Sequence, residues 1–215
     1  MKAYSQFLFV ILSSFLIFSC AKSSGKNAPQ QSEPVAKVQP PAMPQMTEQE
    51  MMEKFKEAST PGTEHAALKP LVGKWKTEAK WWKEPGKTPE VTKGSANHQW
   101  MLGKRFIKEE YKGKMMGQDF EGVGMLGYDN VKGRYVSTWT DSMSTGILTS
   151  EGSYDTGAKS LDMTAKFSCP MTGAEMTGRM LTRVIDENTH VFEMYNPGPD
   201  GKEFKSLEIT YKRIG

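Results

Sequence analysis

From Gly73 onward, apolar and polar residues alternate with a period of two, and this alternation constrains the fold more than any other feature of the chain. Gly73, Trp75, Thr77, Ala79 and Trp81 fall on one face, and Lys74, Lys76, Glu78 and Lys80 on the other. Successive side chains of a strand point to opposite faces, so this is the signature of a half-buried antiparallel strand. The pattern recurs at intervals, predicting strands near 73–82, 92–101, 104–112, 118–128, 133–140, 145–154, 160–167, 175–185, 189–196 and 203–212. Asp129-Asn130, Asp155-Thr156-Gly157, Asp186-Glu187-Asn188 and Pro199-Asp200-Gly201 separate several of them with hairpin chemistry. No gap holds a crossover helix, so the sheet is expected to be antiparallel and meandering. About ten hairpin-linked strands leave exposed edges unless the sheet closes. The expected fold is therefore all-β, an antiparallel up-and-down β-barrel with one or two short N-terminal helices.

About ten strands enclose more space than eight strands fill with side chains. One face of the second strand carries Gly94, Ala96, His98, Trp100 and Leu102. One face of the fourth carries Phe120, Gly122, Gly124, Leu126 and Tyr128, and the seventh carries Leu161, Met163, Ala165 and Phe167. Large aromatics mixed with Gly, Ala, Ser and Thr fit a ligand cavity. They also fit a strongly bent sheet, because strand glycines mark bends.

Upstream, Thr47-Glu48-Gln49-Glu50 fits a capping box, with Met51, Met52, Phe55 and Ala58 following at helical spacing. A second short helix is expected from Thr63 to before Pro70. Both read as lids or flanks and not as core. Residues 20–45 hold Pro29, Pro34, Pro40, Pro41 and Pro44 among Ser, Gln, Ala and Lys. Such a segment lacks the apolar surface to offset its chain entropy and reads as a tether. At the start, Lys2, the apolar run from Phe7 to Phe18 and the segment Ile17-Phe18-Ser19-Cys20 resemble a bacterial lipoprotein signal with its lipobox. The resemblance implies removal of residues 1–19 and lipidation of Cys20. Ala21 and Lys22 follow without an Asp at the second mature position, which by resemblance to enteric sorting implies the outer membrane, facing the periplasm. Residues 46–215 then form the barrel domain.

The full chain has 28 Lys and Arg against 25 Asp and Glu, a net charge of +3. Nothing there supports an electrostatic footprint for nucleic acid. With Cys20 lipidated, Cys169 has no intramolecular disulfide partner. It reads as a small residue at a strand end, with a reactive thiol as the alternative. The three histidines, His65, His98 and His190, show no ligand spacing with one another or with cysteine, so no structural metal is expected. Fifteen methionines suit adaptable apolar packing better than copper binding.

Leu71-Val72-Gly73-Lys74-Trp75 resembles the Gly-x-Trp start of lipocalin-like barrels. The set Arg105-Phe106-Ile107, Tyr111-Lys112-Gly113, Phe120-Glu121-Gly122, Leu126-Gly127-Tyr128-Asp129, Trp139 to Gly146, Cys169 to Gly173 and His190 to Tyr195 resembles the bacterial domain-of-unknown-function 1579 family over about residues 47–213. That resemblance implies a calycin-type barrel and carries no activity. His98 and Cys169 depart from the family's pattern. By similarity to nitrobindin-like barrels, an inward His98 is a candidate haem ligand; the plainer role is a hydrogen-bonded wall residue.

His190, after the turn residues Asn188-Thr189, is expected to be solvated. Arg105 and Glu109 share one strand face and read as surface charges, although an inward face would make them a buried pair. Trp139, Asp141, Ser142, Met143 and Ser144 either line a barrel mouth or satisfy a tight turn. The reading that results is a membrane-tethered binding protein for a small apolar or amphipathic molecule. Trp75, His98, Trp100, Tyr128, Trp139, Asp141 and Met163 are its expected contact residues, and no cofactor is expected. The alternatives are a haem or enzymatic barrel using His98, and a filled structural barrel.

Overall fold

The computed structural model describes residues 44–170, 172–198 and 200–214. The signal segment, Cys20 and nearly all of the tether lie outside the described residues. Ten antiparallel strands form a closed barrel: β1 (Gly73–Trp81), β2 (Glu90–Met101), β3 (Phe106–Met115), β4 (Gln118–Asp129), β5 (Arg134–Asp141), β6 (Leu148–Asp155), β7 (Ser160–Ser168), β8 (Glu175–Asp186), β9 (Thr189–Pro197) and β10 (Glu203–Arg213). Each strand pairs with its neighbours in sequence, and β1 closes on β10 from Trp75 opposite Arg213 to Trp81 opposite Leu207. Every expected strand is present, with ends shifted by a few residues. The largest shifts, of three residues, are at the end of β3, which runs on to Met115, and at the start of β6, which begins at Leu148 because residues 142–147 lie in the connection.

The inward faces follow the alternation read from the sequence. Trp75, Thr77 and Ala79 of β1 are buried, as are Ala96 and His98 of β2 and Leu161, Met163 and Ala165 of β7. Closure leaves no unpaired edge.

Two helices precede the barrel. In α1 (Glu48–Ser59) the capping box is formed, with Thr47 Oγ1 accepting from the Glu50 N–H and the Glu50 carboxylate accepting from the Thr47 N–H. None of its residues is buried, so α1 is a flank as expected. Asn130, in the β4–β5 turn, donates from Nδ2 to the carbonyls of Glu57, Ala58 and Thr60 and so satisfies the orphan acceptors at the helix end.

The second element departs from the flank expectation. α2 (Thr63–Ala67) and a 3₁₀ turn (Lys69–Leu71) plug one end of the barrel, and His65, Leu68 and Leu71 are buried there. Leu68 and Leu71 pack in one core cluster with Ile107, Tyr135, Leu161 and Met163. Burying each leucine contributes roughly 1.5–3 kcal/mol. Tyr135 Oη donates to the Glu64 carbonyl, tying the plug to β5.

Arg213 fastens the plug to the last strand. Its guanidinium donates to the carbonyls of Val72 (2.7 Å), Pro70 (2.9 Å) and Glu187 (2.9 Å), and it lies over the Trp75 ring at 4.1 Å. Gly73, at φ +147°, makes room for it: a Cβ there would stand 2.2 Å from Arg213 Nη1. Hydrogen bonds from a charged donor contribute about 1.5–3 kcal/mol each when protected, and less where water competes. Arg213→Ala is expected to lower unfolding stability by about 2–3 kcal/mol in urea titrations. Arg213→Lys should recover little of it, because a single ammonium cannot reproduce the planar fork. Unchanged stability in Arg213→Ala would refute the fastening role.

Candidate functional site

Above the plug, the barrel encloses a cavity of about 360 Å³. Its walls are mainly apolar, with Ile107, Leu126, Met163, Met180, Phe192 and Ile209 among them. It runs away from the helices toward the opposite rim, where Trp81, Lys114, Met116, Trp139, Asp141 and Met143 line it. The glycines of β4 help keep the lumen open. A Cβ on Gly122 would lie 2.1 Å from Trp139 Cζ2, and one on Gly124 would lie 3.0 Å from Trp139 Cε3. The indole of β5 therefore lies flat against the wall in the space those side chains would take. Trp139 Nε1 donates to Asp141 Oδ2 at 3.0 Å, which fixes the ring near the rim.

The floor of the cavity is polar. The Leu71 carbonyl, at the end of the plug, lies 2.9 Å from His98 Nδ1 and accepts from Trp75 Nε1 at 3.1 Å. A carbonyl only accepts, so His98 Nδ1 carries a hydrogen. His98 Nε2 then faces Glu109 Oε1 at 3.1 Å, close enough for an ion pair although bent from a straight hydrogen bond. Tyr211 Oη donates to the same Glu109 oxygen at 3.1 Å. His190 stacks on Tyr211, with ring centroids 4.2 Å apart, and meets Trp75 edge-on at 4.4 Å.

Charges on this floor sort by partner. Burial works against charge on His98, but the Glu109 carboxylate, together with the Leu71 carbonyl, outweighs it and raises the imidazole's pKa. Burial likewise pushes the Glu109 carboxyl up, while His98 and the Tyr211 hydroxyl pull it further down, so the net pKa is lowered. Both shifts favour the imidazolium–carboxylate form of the pair. His190 has no such partner. Burial, aided by repulsion from His98, pushes it down to about 3, so its ring is neutral. Its Nδ1 is buried without a hydrogen bond. The Glu109 side chain is 28% accessible while lining the cavity, so this surface faces the lumen and not packed protein.

Of the residues expected from sequence to contact a ligand, His98, Trp139, Asp141 and Met163 line the cavity. Trp75 points inward but is 1% exposed, sealed behind His190 and Tyr211. Trp100 and Tyr128 pack against the core cluster around the plug.

The expectation that His190 is solvated is overturned: it is the second residue of β9, its side chain faces inward, and it is 2% exposed. The surface assignment of Glu109 is also overturned. Arg105 lies in the turn before β3 and donates to the Leu102 carbonyl, whereas Glu109 lies on the inward face of β3. Cys169 is buried at the end of β7, with its backbone bonded across the turn to Ala174 and Gly173. Among the described residues, no group of three or more His, Cys, Asp or Glu is arranged to hold a metal ion.

Residues 60–213 match the family model described as a protein of unknown function, DUF1579. The chain belongs to this family. No curated protein matches it. The fold of this DUF1579 member is similar to the crystal structure of Rv2717c from M. tuberculosis at 13% identity, with a TM-score of 0.55, covering 73% of this chain and 100% of that one. A redesigned beta barrel also aligns at 13% identity, with a TM-score of 0.37, over 69% of this chain and 96% of its own. At these identities the likeness to Rv2717c concerns the fold.

The lowered pKa of His190 has a consequence for stability. The unfolded chain takes up a proton at this residue below its ordinary value of 6.5, and the folded chain does not until about 3. The contribution is therefore fully present above pH 6.5 and is lost as pH falls towards 3. Between pH 6.5 and about pH 5 the loss is about 1.5 kcal/mol, since the slope of about 1.36 kcal/mol per pH unit is reached only once the unfolded histidine is mostly protonated. This window opens well above that of the carboxylates. His190→Phe should flatten the profile by that amount in urea titrations over this range. Parallel profiles for the two proteins would show that His190 is not held neutral.

Proposed function

We propose that this protein is a cell-envelope lipoprotein, anchored through Cys20, whose barrel binds a small apolar or amphipathic molecule. The observation that carries the binding role is the apolar cavity of about 360 Å³ above a polar floor. Ligand sites are typically concave, mostly apolar, and fitted with a few convergent polar groups. At about 30 Å³ per water, the space equals roughly a dozen waters, far more than a packing defect. The flat Trp139 and the small residues beneath it hold that space open. The lipobox-like segment ending at Cys20 and the Pro-rich residues 20–45 support the anchored reading, with the outer membrane facing the periplasm as the expected location. Among the described residues, no helix is long and apolar enough to cross a membrane.

The geometry favours this reading over a haem or enzymatic barrel. Both ring nitrogens of His98 already face partners, the Leu71 carbonyl and Glu109. Axial ligation would displace one of them and leave a buried polar group unpaired, at a cost of about 1–3 kcal/mol.

Native mass spectrometry of the chain extracted from its own envelope is expected to show an added mass that leaves on denaturation. Met180→Trp, which places a larger side chain in the lumen, should abolish that mass while the barrel's circular dichroism is kept. A bare polypeptide mass across mild preparations would overturn the binding role. Cys20→Ser should move the protein from the membrane to the soluble fraction, because a single acyl chain and its partners hold by about 0.8 kcal/mol per buried methylene. Continued membrane fractionation of this variant would overturn the anchor.

A further inference from the structure

One oxygen on the cavity floor is left open. Glu109 Oε1 receives both His98 and Tyr211, while Oε2 takes no hydrogen bond from any described residue. The Glu109 side chain is partly accessible and lines the lumen, whose walls include Leu126, Met163 and Phe192. His98 Nε2 and His190 Nδ1, by contrast, are closed off from solvent-sized probes. A molecule entering from the rim therefore meets apolar walls, and beyond them a carboxylate oxygen with unused acceptor capacity.

Three head groups are distinguishable by charge at this point. A carboxylate head would bring a second negative charge against Glu109 in an enclosed space, where like charges repel far more strongly than in water. An ammonium head would add a second positive charge beside the imidazolium of His98. It could reach Oε2, but the Glu109 charge is already offset by His98 on Oε1, so the added cation would stand unbalanced in an enclosed space. A neutral hydroxyl donates one hydrogen to Oε2 and disturbs neither charge. Polar sites of this kind discriminate strongly, since a wrong head group leaves buried groups unpaired.

We propose that the barrel selects amphiphiles with a neutral hydroxyl head, which donates to Glu109 Oε2 at the cavity floor while the apolar tail runs along the Met163, Met180 and Phe192 walls toward the rim. This proposal rests on the binding role above and names its ligand class: a single-chain or compact lipid alcohol, and not a fatty acid or a lipid amine.

The test uses the full chain and three probes with the same tail, decanol, decanoate and decylamine, titrated by calorimetry at neutral pH. Decanol is expected to bind at least about ten-fold more tightly than either charged probe. Glu109→Gln, which removes the charge and keeps the shape, should reduce the preference for decanol over decanoate to about three-fold or less. The comparison on the unaltered chain stands even if that variant fails to fold. Decanoate or decylamine binding as tightly as decanol would overturn the head-group assignment and leave the binding role intact. Absence of binding by all three probes would overturn both.

Discussion

The carbonyl of Leu71 is the group on which the rest of this structure depends. It ends the plug, and it receives Trp75 Nε1 from β1 and faces His98 Nδ1 from β2. That single acceptor positions the plug against two strands and fixes the hydrogen on Nδ1. The opposite ring nitrogen is thereby presented to Glu109, and Tyr211 completes the carboxylate's inner side. Arg213, bonded to the Val72 and Pro70 carbonyls, holds the same stretch from the other side of the β1–β10 seam. The seal of the barrel and the chemistry of its floor therefore share their anchoring residues.

A charge pair at the bottom of an apolar cavity is poorly explained by stability alone. Replacing such a pair with well-packed apolar residues is often neutral or stabilising, whereas removing one partner is strongly destabilising. The barrel also keeps His190 neutral beside the pair, stacked on Tyr211, at the cost of acid sensitivity. Trp139 adds a further constraint, since its place against the wall requires Gly122 on β4 and is helped by Gly124. These features sacrifice packing that a filled barrel would use. They are what a lumen with a selective floor requires, and the binding role is proposed on that ground.

The strands were legible because inward and outward positions alternate without interruption, as in Gly73 to Trp81, and because the turns carry Asn, Asp and Gly where hairpins need them. The capping box at Thr47 was legible for a similarly local reason. The floor was harder to read. Glu109 sits among charged neighbours, Lys108 and Glu110, so its strand shows no clear apolar face, and only the pairing of His98 with Glu109 across β2 and β3 reveals its role. His190 follows a turn by one residue, and a shift of one position reverses a strand's faces. Facing inward also did not guarantee reaching the lumen. Trp100 and Tyr128 have the expected parity, but lie at the end that the plug fills, and nothing in a short amphipathic helix states which end it will enter.

Imidazole nitrogen chemical shifts of His98, measured by NMR at a pH somewhat above the ordinary histidine range, test this account most directly. Two protonated ring nitrogens are expected to persist there, with the cationic state lost on Glu109→Gln. A neutral ring with a single protonated nitrogen at that pH would contradict the charge pair, and with it the floor on which the proposed selectivity depends.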